Sequence, residues 1–493
     1  ALYQEYAFLM ENQRIVPLPQ VQEQSPGAAP DELIVYYCDM FSVRQDIRDT
    51  DTWLPRQDLA RYLRSQLVPA MVEAFRVQSD GWGFPWYEEW TGYRTGVDAH
   101  RLSVALSDGK TWFHSKAPYQ GDASLSINVS TSKAQYATLT DGLMRIFHHE
   151  LFHHHQRNIY LHYGGVGNLD GAEGAWAYFI EGTAVLAASV AQSGVEFDRS
   201  AFRRSYMANA WAFLGREGFV SGALNASYAQ ISPYRSAPYW RFLYEQCGGM
   251  GAGAEDPAAG MAVIRQVLHT LYSGEIVDIA RSTDIVAYLP AVVTRALERS
   301  SCPFRTYEAS LQAFARTIYA LRLEGGKCFA PSIPPGCGFY DPNALYPKPP
   351  IDVIRYDGRP TTYAAAEQPF RPGIPGSFGI DLVEIDLDPS LDGQPFTVDF
   401  YASSDGGADF VVQIWMLMAG AGGSLPQALV VQPEAPTLLA TTGSDRHLLY
   451  SIAAIDTRQY NRLGLVITRV DARERQDANG SYEIALGPGR SVP

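Results

Sequence analysis

Five of the chain's ten histidines fall within residues 148–155, and one frame of that run reads His149-Glu150-Leu151-Phe152-His153. This spacing constrains the fold more than any other feature. Residues four apart stack on one face of an α-helix, so a helix brings the His149 and His153 imidazoles toward a single point. At about 100° per residue, Glu150 projects about 60° from His153, beside that point and offset from it. Two neutral ligands, an open coordination position and an adjacent carboxylate are what metal-assisted hydrolysis requires.

The flanking residues predict the same helix. Leu143, Ile146, Phe147 and Leu151 recur at the spacing of a buried stripe, and Thr140 and Asp141 are the expected N-caps. His154 falls on the core side, where a hydrogen-bonded histidine is expected. His148 and His155 point away from the ligands, toward the surface or a second element.

A third ligand is expected downstream, in the stretch Trp176-Ala177-Tyr178-Phe179-Ile180-Glu181-Gly182-Thr183-Ala184. Residues 163–171, with four glycines, read as a turn between two helices. In the second helix Ala177, Ala184 and Ala188 surround Glu181, and small residues let helices approach closely enough for a short carboxylate arm to reach a metal. A carboxylate in so apolar a helix calls for a partner, which a metal ion supplies. Glu173 is the rival ligand, but an acid at a helix start is already explained by the helix dipole.

Together the two motifs resemble those of the gluzincin zinc metallopeptidases, whose third ligand is a glutamate on a second helix. The resemblance covers residues 120–250. It implies an α+β catalytic domain, a mixed sheet followed by a mostly helical subdomain, acting on a protein or peptide substrate. It also implies one catalytic Zn2+ held by His149, His153 and Glu181, with Glu150 as general base. Gluzincins supply a further tyrosine or histidine to the oxyanion, for which Tyr228, Tyr234 and Tyr239 compete here. The run from Tyr234 to Gly248 resembles in spacing the tyrosine-to-glycine helix of the aminopeptidase branch, which favours Tyr234, with Tyr239 next.

One feature of that branch is missing. Its Gly-x-Met-Glu-Asn amine anchor is replaced by residues 123–130, and Met10-Glu11-Asn12 lies too early and lacks the glycine. Endopeptidase action is therefore expected. Residues 124–129 alternate apolar and polar, as in an edge strand that pairs with a peptide or in an ordinary half-buried strand.

At 493 residues the chain is too long for one core. The expected division is an N-terminal arm over 1–30, an α/β part over 31–160 ending in the histidine helix, and a helical part over 161–326. A Pro/Gly-rich linker over 327–350 and an all-β sandwich over 351–493 complete it. The linker holds Cys328 and Cys337, a candidate disulfide. The last part contains alternating runs at 396–401, 410–415 and 463–468. Earlier strands are expected at 32–37 and 101–106, and an amphipathic helix at 55–76. Asp386, Asp388 and Asp392 hint at calcium, but their spacing matches no calcium loop and a solvated turn explains them.

A net charge of −14 argues against nucleic-acid partners and anionic membranes. No run is apolar enough to span a bilayer, and no C-x-x-C pair supports a cysteine metal site. Nucleophile-elbow, P-loop and dinucleotide fingerprints are absent. The absence of an initiator methionine suits a processed chain and equally a trimmed one, and lysine supplying only Lys110, Lys116, Lys133, Lys327 and Lys348 suits a GC-rich bacterial gene. A secreted or cell-surface protein is expected. The competing reading is a binding or adhesion protein on a degenerate peptidase fold, with the β-domain carrying the function.

Overall fold

The computed structural model describes residues 13–17, 32–37, 68–84, 101–107, 114–116, 123–128, 133–163, 177–191, 236–251, 254–276, 288–324, 351–364, 379–402, 410–418, 428–429, 437–438, 446–452, 454–470 and 482–488. The chain is mixed α+β, with helices followed by two sheets in its C-terminal part. It divides into two compact units. One comprises residues 1–172, 180–199 and 248–282; the other comprises 173–179, 200–247 and 283–493. The linker residues 327–350 and their two cysteines, with residues 55–67 of the expected early helix, lie outside the described residues.

The first unit holds a five-stranded mixed sheet built from β1 (Gln13–Pro17), β2 (Glu32–Tyr37), β3 (Arg101–Ser107), β4 (His114–Lys116) and β5 (Ala123–Asn128). Its order is β1-β2-β3-β5-β4. The inner pairs β2–β3 and β3–β5 are parallel, and the outer pairs β1–β2 and β5–β4 are antiparallel. Of the two readings of residues 124–129, the edge strand is the one that fails: β5 is flanked on both sides, and β4 lies outside it among the described residues. The alternation in β5 is that of an interior strand, because a short antiparallel neighbour satisfies the side that the sequence left open.

The order of elements also departs from strands followed by helices. Helix α1 (Val68–Arg76) lies between β2 and β3 and runs on into a π-helical turn, Val77–Gly81. Helix α2 (Lys133–His162) follows β5, and α3 (Ala177–Ala191) comes next. Because α2 begins at Lys133, Thr140 and Asp141 lie within it and do not cap it. Ala134, Gln135, Ala137 and Leu139 are good helix formers, so the helix extends past the expected start. Helix α4 (Ala237–Tyr244) passes into a π-helical turn, Glu245–Gly249, and α5 (Pro257–Tyr272) is capped by Asp256, which accepts from the Ala259 amide. A two-stranded ribbon, β6 (Met250–Gly251) with β7 (Ala254–Glu255), separates these last two helices.

Among the described residues, the second unit contains α4, α6 (Leu289–Glu298), α7 (Tyr307–Glu324) and ten strands. One sheet has β8 (Asp352–Tyr356), β10 (Ile380–Leu387), β12 (Phe410–Met418), β13 (Ala428–Leu429) and β16 (Tyr460–Arg469). The other has β9 (Thr361–Ala364), β11 (Phe396–Ala402), β14 (Thr437–Leu438), β15 (Arg446–Ile452) and β17 (Tyr482–Pro488). The two share one core, in which Val383, Ile385 and Leu465 meet Val398, Phe400 and Ile484. Alternation in β11, where Phe396, Val398 and Phe400 face inward, is the period of two that places every second side chain on one face.

Phenol–carboxylate hydrogen bonds also bridge the layers. Tyr482 of β17 donates to the buried Asp381 of β10, and Tyr363 of β9 donates to Asp352 of β8. On the other face of the first sheet, Tyr319 of α7 sits over Gly464 of β16. A Cβ at that glycine would collide with the Tyr319 phenol, so the glycine leaves room for that side chain against the strand. Helices α4 and α6 are joined beyond their ends by a Cys247–Cys302 disulfide.

Asp386, Asp388 and Asp392 do not converge on a common point. Asp386 accepts from Arg462 at 2.6 Å, Asp388 caps a 3₁₀ turn at Ser390, and Asp392 pairs with Arg458 at 3.0 Å. Among the described residues, no helix is long and apolar enough to cross a membrane.

Candidate metal centre

From Phe147 to Tyr160, helix α2 is buried on nearly every side, with only His149 and Arg157 partly accessible. A helix buried all round must satisfy its polar side chains internally. Its histidines lie in different environments. His148 faces the π-helical turn after α1, where the Gln78 amide lies 3.3 Å from its Nδ1 and donates to its carbonyl oxygen at 2.8 Å. Burial lowers the His148 ring to about 4, so it stays neutral. His155 is fully buried between the rings of Phe75 and Phe84, with centroids 6.2 and 5.8 Å away. His148 and His155 therefore meet a second element, one of the two expected environments. His154 is fully buried, as expected, and burial holds its ring well below the usual imidazole range.

His149 and His153 differ from these three. Their rings stand edge to face with centroids 4.6 Å apart, and their Nε2 atoms are 3.1 Å apart. The partner of both is Glu181 on α3, whose Oε2 lies 3.0 Å from His149 Nε2 and 3.4 Å from His153 Nε2. Helix α3 approaches this closely because Gly182, Ala184 and Ala188 keep it narrow around the glutamate, and all three are buried. The triad is the one group of three or more potential metal ligands among the described residues. Glu150 is buried one residue along α2, and its charge acts on the His153 ring.

The three ligand atoms form a triangle with edges of 3.0, 3.1 and 3.4 Å. Ligands about 2.0–2.1 Å from a tetrahedrally coordinated ion are separated by roughly 3.3 Å, so the triangle is nearly one face of such a tetrahedron. Two imidazole nitrogens and one carboxylate oxygen can hold a metal ion there. Without a cation, a proton must keep these groups together. Burial disfavours a charged His153 ring, but the adjacent Glu181 carboxylate outweighs it and raises the ring to about 9. Burial also works against the Glu181 charge, while His153 and His149 hold its carboxyl far below the usual range.

The sequence did not point to the residues that hold this group in place. Gln156, three positions after His153, accepts at Oε1 2.8 Å from His153 Nδ1 and donates at Nε2 to the Ile180 carbonyl (2.9 Å) and the Thr183 hydroxyl (2.7 Å). Its i+3 spacing from His153 was the available signal.

No protein-family model matches the chain, and no curated protein does. Among solved structures it is similar to a family GH115 4-O-methyl-α-glucuronidase with specificity for decorated arabinogalactans, at 12% identity and a TM-score of 0.15. That match covers 80% of this chain and 52% of the glucuronidase, so the chain spans about half its length. A likeness this slight carries no argument about fold or activity.

The other expected site residues are less informative. Glu173, Tyr228 and Tyr234 lie outside the described residues. Tyr239 belongs to the core of its own unit. It is fully buried, meets Ser310 at 2.8 Å through its hydroxyl, and packs against Trp240 and Phe314. Burial raises its phenol far above the usual value, and no face is exposed to a substrate.

Proposed function

We propose that the chain is a zinc-dependent hydrolase of peptide bonds, acting as an endopeptidase, with the gluzincin arrangement of ligands. The observation that carries this reading is the convergence of His149, His153 and Glu181 from two helices, with Glu150 beside them. A nitrogen-rich donor set with one carboxylate suits zinc better than calcium or magnesium, which take oxygen ligands. When bound, zinc lowers the pKa of a coordinated water to about 7 and polarises a carbonyl oxygen.

The chain's own residues supply the rest of the reaction. Glu150 removes a proton from the attacking water as its oxygen bonds to the scissile carbonyl carbon, and returns that proton to the departing amine as the C–N bond breaks. Tyr234 donates its phenol proton in a hydrogen bond to the developing oxyanion. The β4 edge, which has no strand on its outer side among the described residues and packs near α2, offers an extended peptide a strand to pair with. The Cys247–Cys302 disulfide supports an oxidising, extracytoplasmic setting.

Cleavage of an unstructured protein such as casein tests this reading. Activity should disappear on chelation, return with zinc, and fall by about 10²–10⁴ in Glu150→Gln without loss of bound metal. A Glu150→Gln variant as active as wild type would remove Glu150 from the reaction.

A further inference from the structure

We infer that Gln156 is a positioning residue of the metal centre, one side chain that orients two of the three ligands. The inference rests on the metal-site reading of His149, His153 and Glu181. The orientation of the Gln156 amide follows from its partners. The Ile180 carbonyl can only accept, so the atom 2.9 Å from it must be the amide nitrogen, whose second proton goes to Thr183 at 2.7 Å. The oxygen must then face His153. An amide oxygen cannot donate, so the hydrogen on the 2.8 Å contact belongs to His153 Nδ1. A neutral ring with its proton at Nδ1 presents the Nε2 lone pair toward His149 and Glu181, the tautomer a metal ligand needs at that atom.

The other end of Gln156 acts on the third ligand. Ile180 immediately precedes Glu181, and Thr183 lies two residues beyond it, so both hydrogen bonds grip the turn of α3 that carries the carboxylate. The Gln156 side chain is almost fully buried, which keeps water from competing for either end. A glutamine in this place therefore sets the ring tautomer on α2 and the position of the carboxylate on α3 together.

The test is zinc affinity by chelator competition in the full chain, comparing wild type, Gln156→Met, Gln156→Glu and Glu181→Ala. Loss of a hydrogen-bond partner behind a metal-bound histidine weakens affinity by about 10–100-fold, the loss expected for Gln156→Met. Gln156→Glu keeps the acceptor for His153 and loses the donors to α3, so it should recover part of that loss and no more. A tie that merely held the helices together would be broken equally by both substitutions. Because either variant can fold poorly, the second measurement uses zinc-loaded wild type. Nitrogen-15 NMR should show the His153 Nδ1 proton, protected from exchange and hydrogen-bonded. Wild-type affinity in Gln156→Met, or a rapidly exchanging Nδ1 proton in wild type, overturns the inference while leaving the metal site standing. A wild-type chain that binds no zinc overturns both.

Discussion

The proton that holds the metal-free triad together competes directly with the metal, and the size of that competition can be worked from the structure. His153 is raised to about 9 in the metal-free chain, after burial has been outweighed by the Glu181 carboxylate 3.4 Å away. At pH 7 the ring is therefore mostly protonated, and only a small minority of molecules carry it neutral and ready to bind. Apparent zinc affinity should therefore tighten about tenfold per pH unit between pH 6.5 and 8.5 and level off above 9. Chelator competition at half-unit intervals measures the slope, and a histidine NMR titration of metal-free protein should place the His153 midpoint well above the ordinary imidazole value of 6.5. The same shifts set the stability of the metal-free fold. The raised His153 stabilises it fully below about 6.5 and less as pH rises through about 9; the depressed Glu181 stabilises it above about 4.5 and less as pH falls. Zinc affinity that is flat across this range, with His153 titrating near 6.5, would refute the reasoning.

Other predictions each concern one side chain. Tyr234→Phe should lower peptide turnover by about 10²–10³ with zinc retained, and an unchanged turnover removes that tyrosine from the oxyanion role. Gly464→Ala drives a methyl group into Tyr319 and breaks its hydrogen bond to Glu384; chemical denaturation should show a loss of about 3–6 kcal/mol in the C-terminal unit. A change under 1 kcal/mol would mean that α7 does not lie so close. Burial raises Asp381 to about 7 against the hydrogen bonds from Tyr482 and the Leu382 amide. The folded state therefore binds the proton more tightly than the unfolded chain, and stability should fall as pH rises from about 4 through 7, a slope that Asp381→Asn abolishes in pH-dependent melting.

The candidate ligand set is legible because it is local and periodic. His149 and His153 are one helical turn apart, and Glu181 stood out as the single charge within an otherwise apolar helix. The strand runs at 32–37, 101–106, 396–401, 410–415 and 463–468 coincide with strands for a similar reason, a period-two or continuous apolar pattern read over a few residues. Features that depend on pairing between distant segments were not legible. Nothing within residues 123–128 shows that a three-residue strand covers their outer side, and nothing near Cys247 points to Cys302. The start of α2 was misplaced because Thr140 and Asp141 are good caps in isolation, whereas the preceding turns are good helix. The role of Gln156 is not legible in the sequence, because a polar residue on a histidine-rich helix has the pattern of a surface position.

The central claim is that two imidazoles from α2 and the Glu181 carboxylate from α3 hold one divalent ion. Elemental analysis of purified wild type and Glu181→Ala, joined to X-ray absorption at the zinc edge, measures it most directly. The account predicts one zinc per wild-type chain with two imidazole nitrogens among light-atom ligands, and little or none in the variant. A wild type that takes up no zinc, or a Glu181→Ala variant with the same content and the same spectrum, would contradict it.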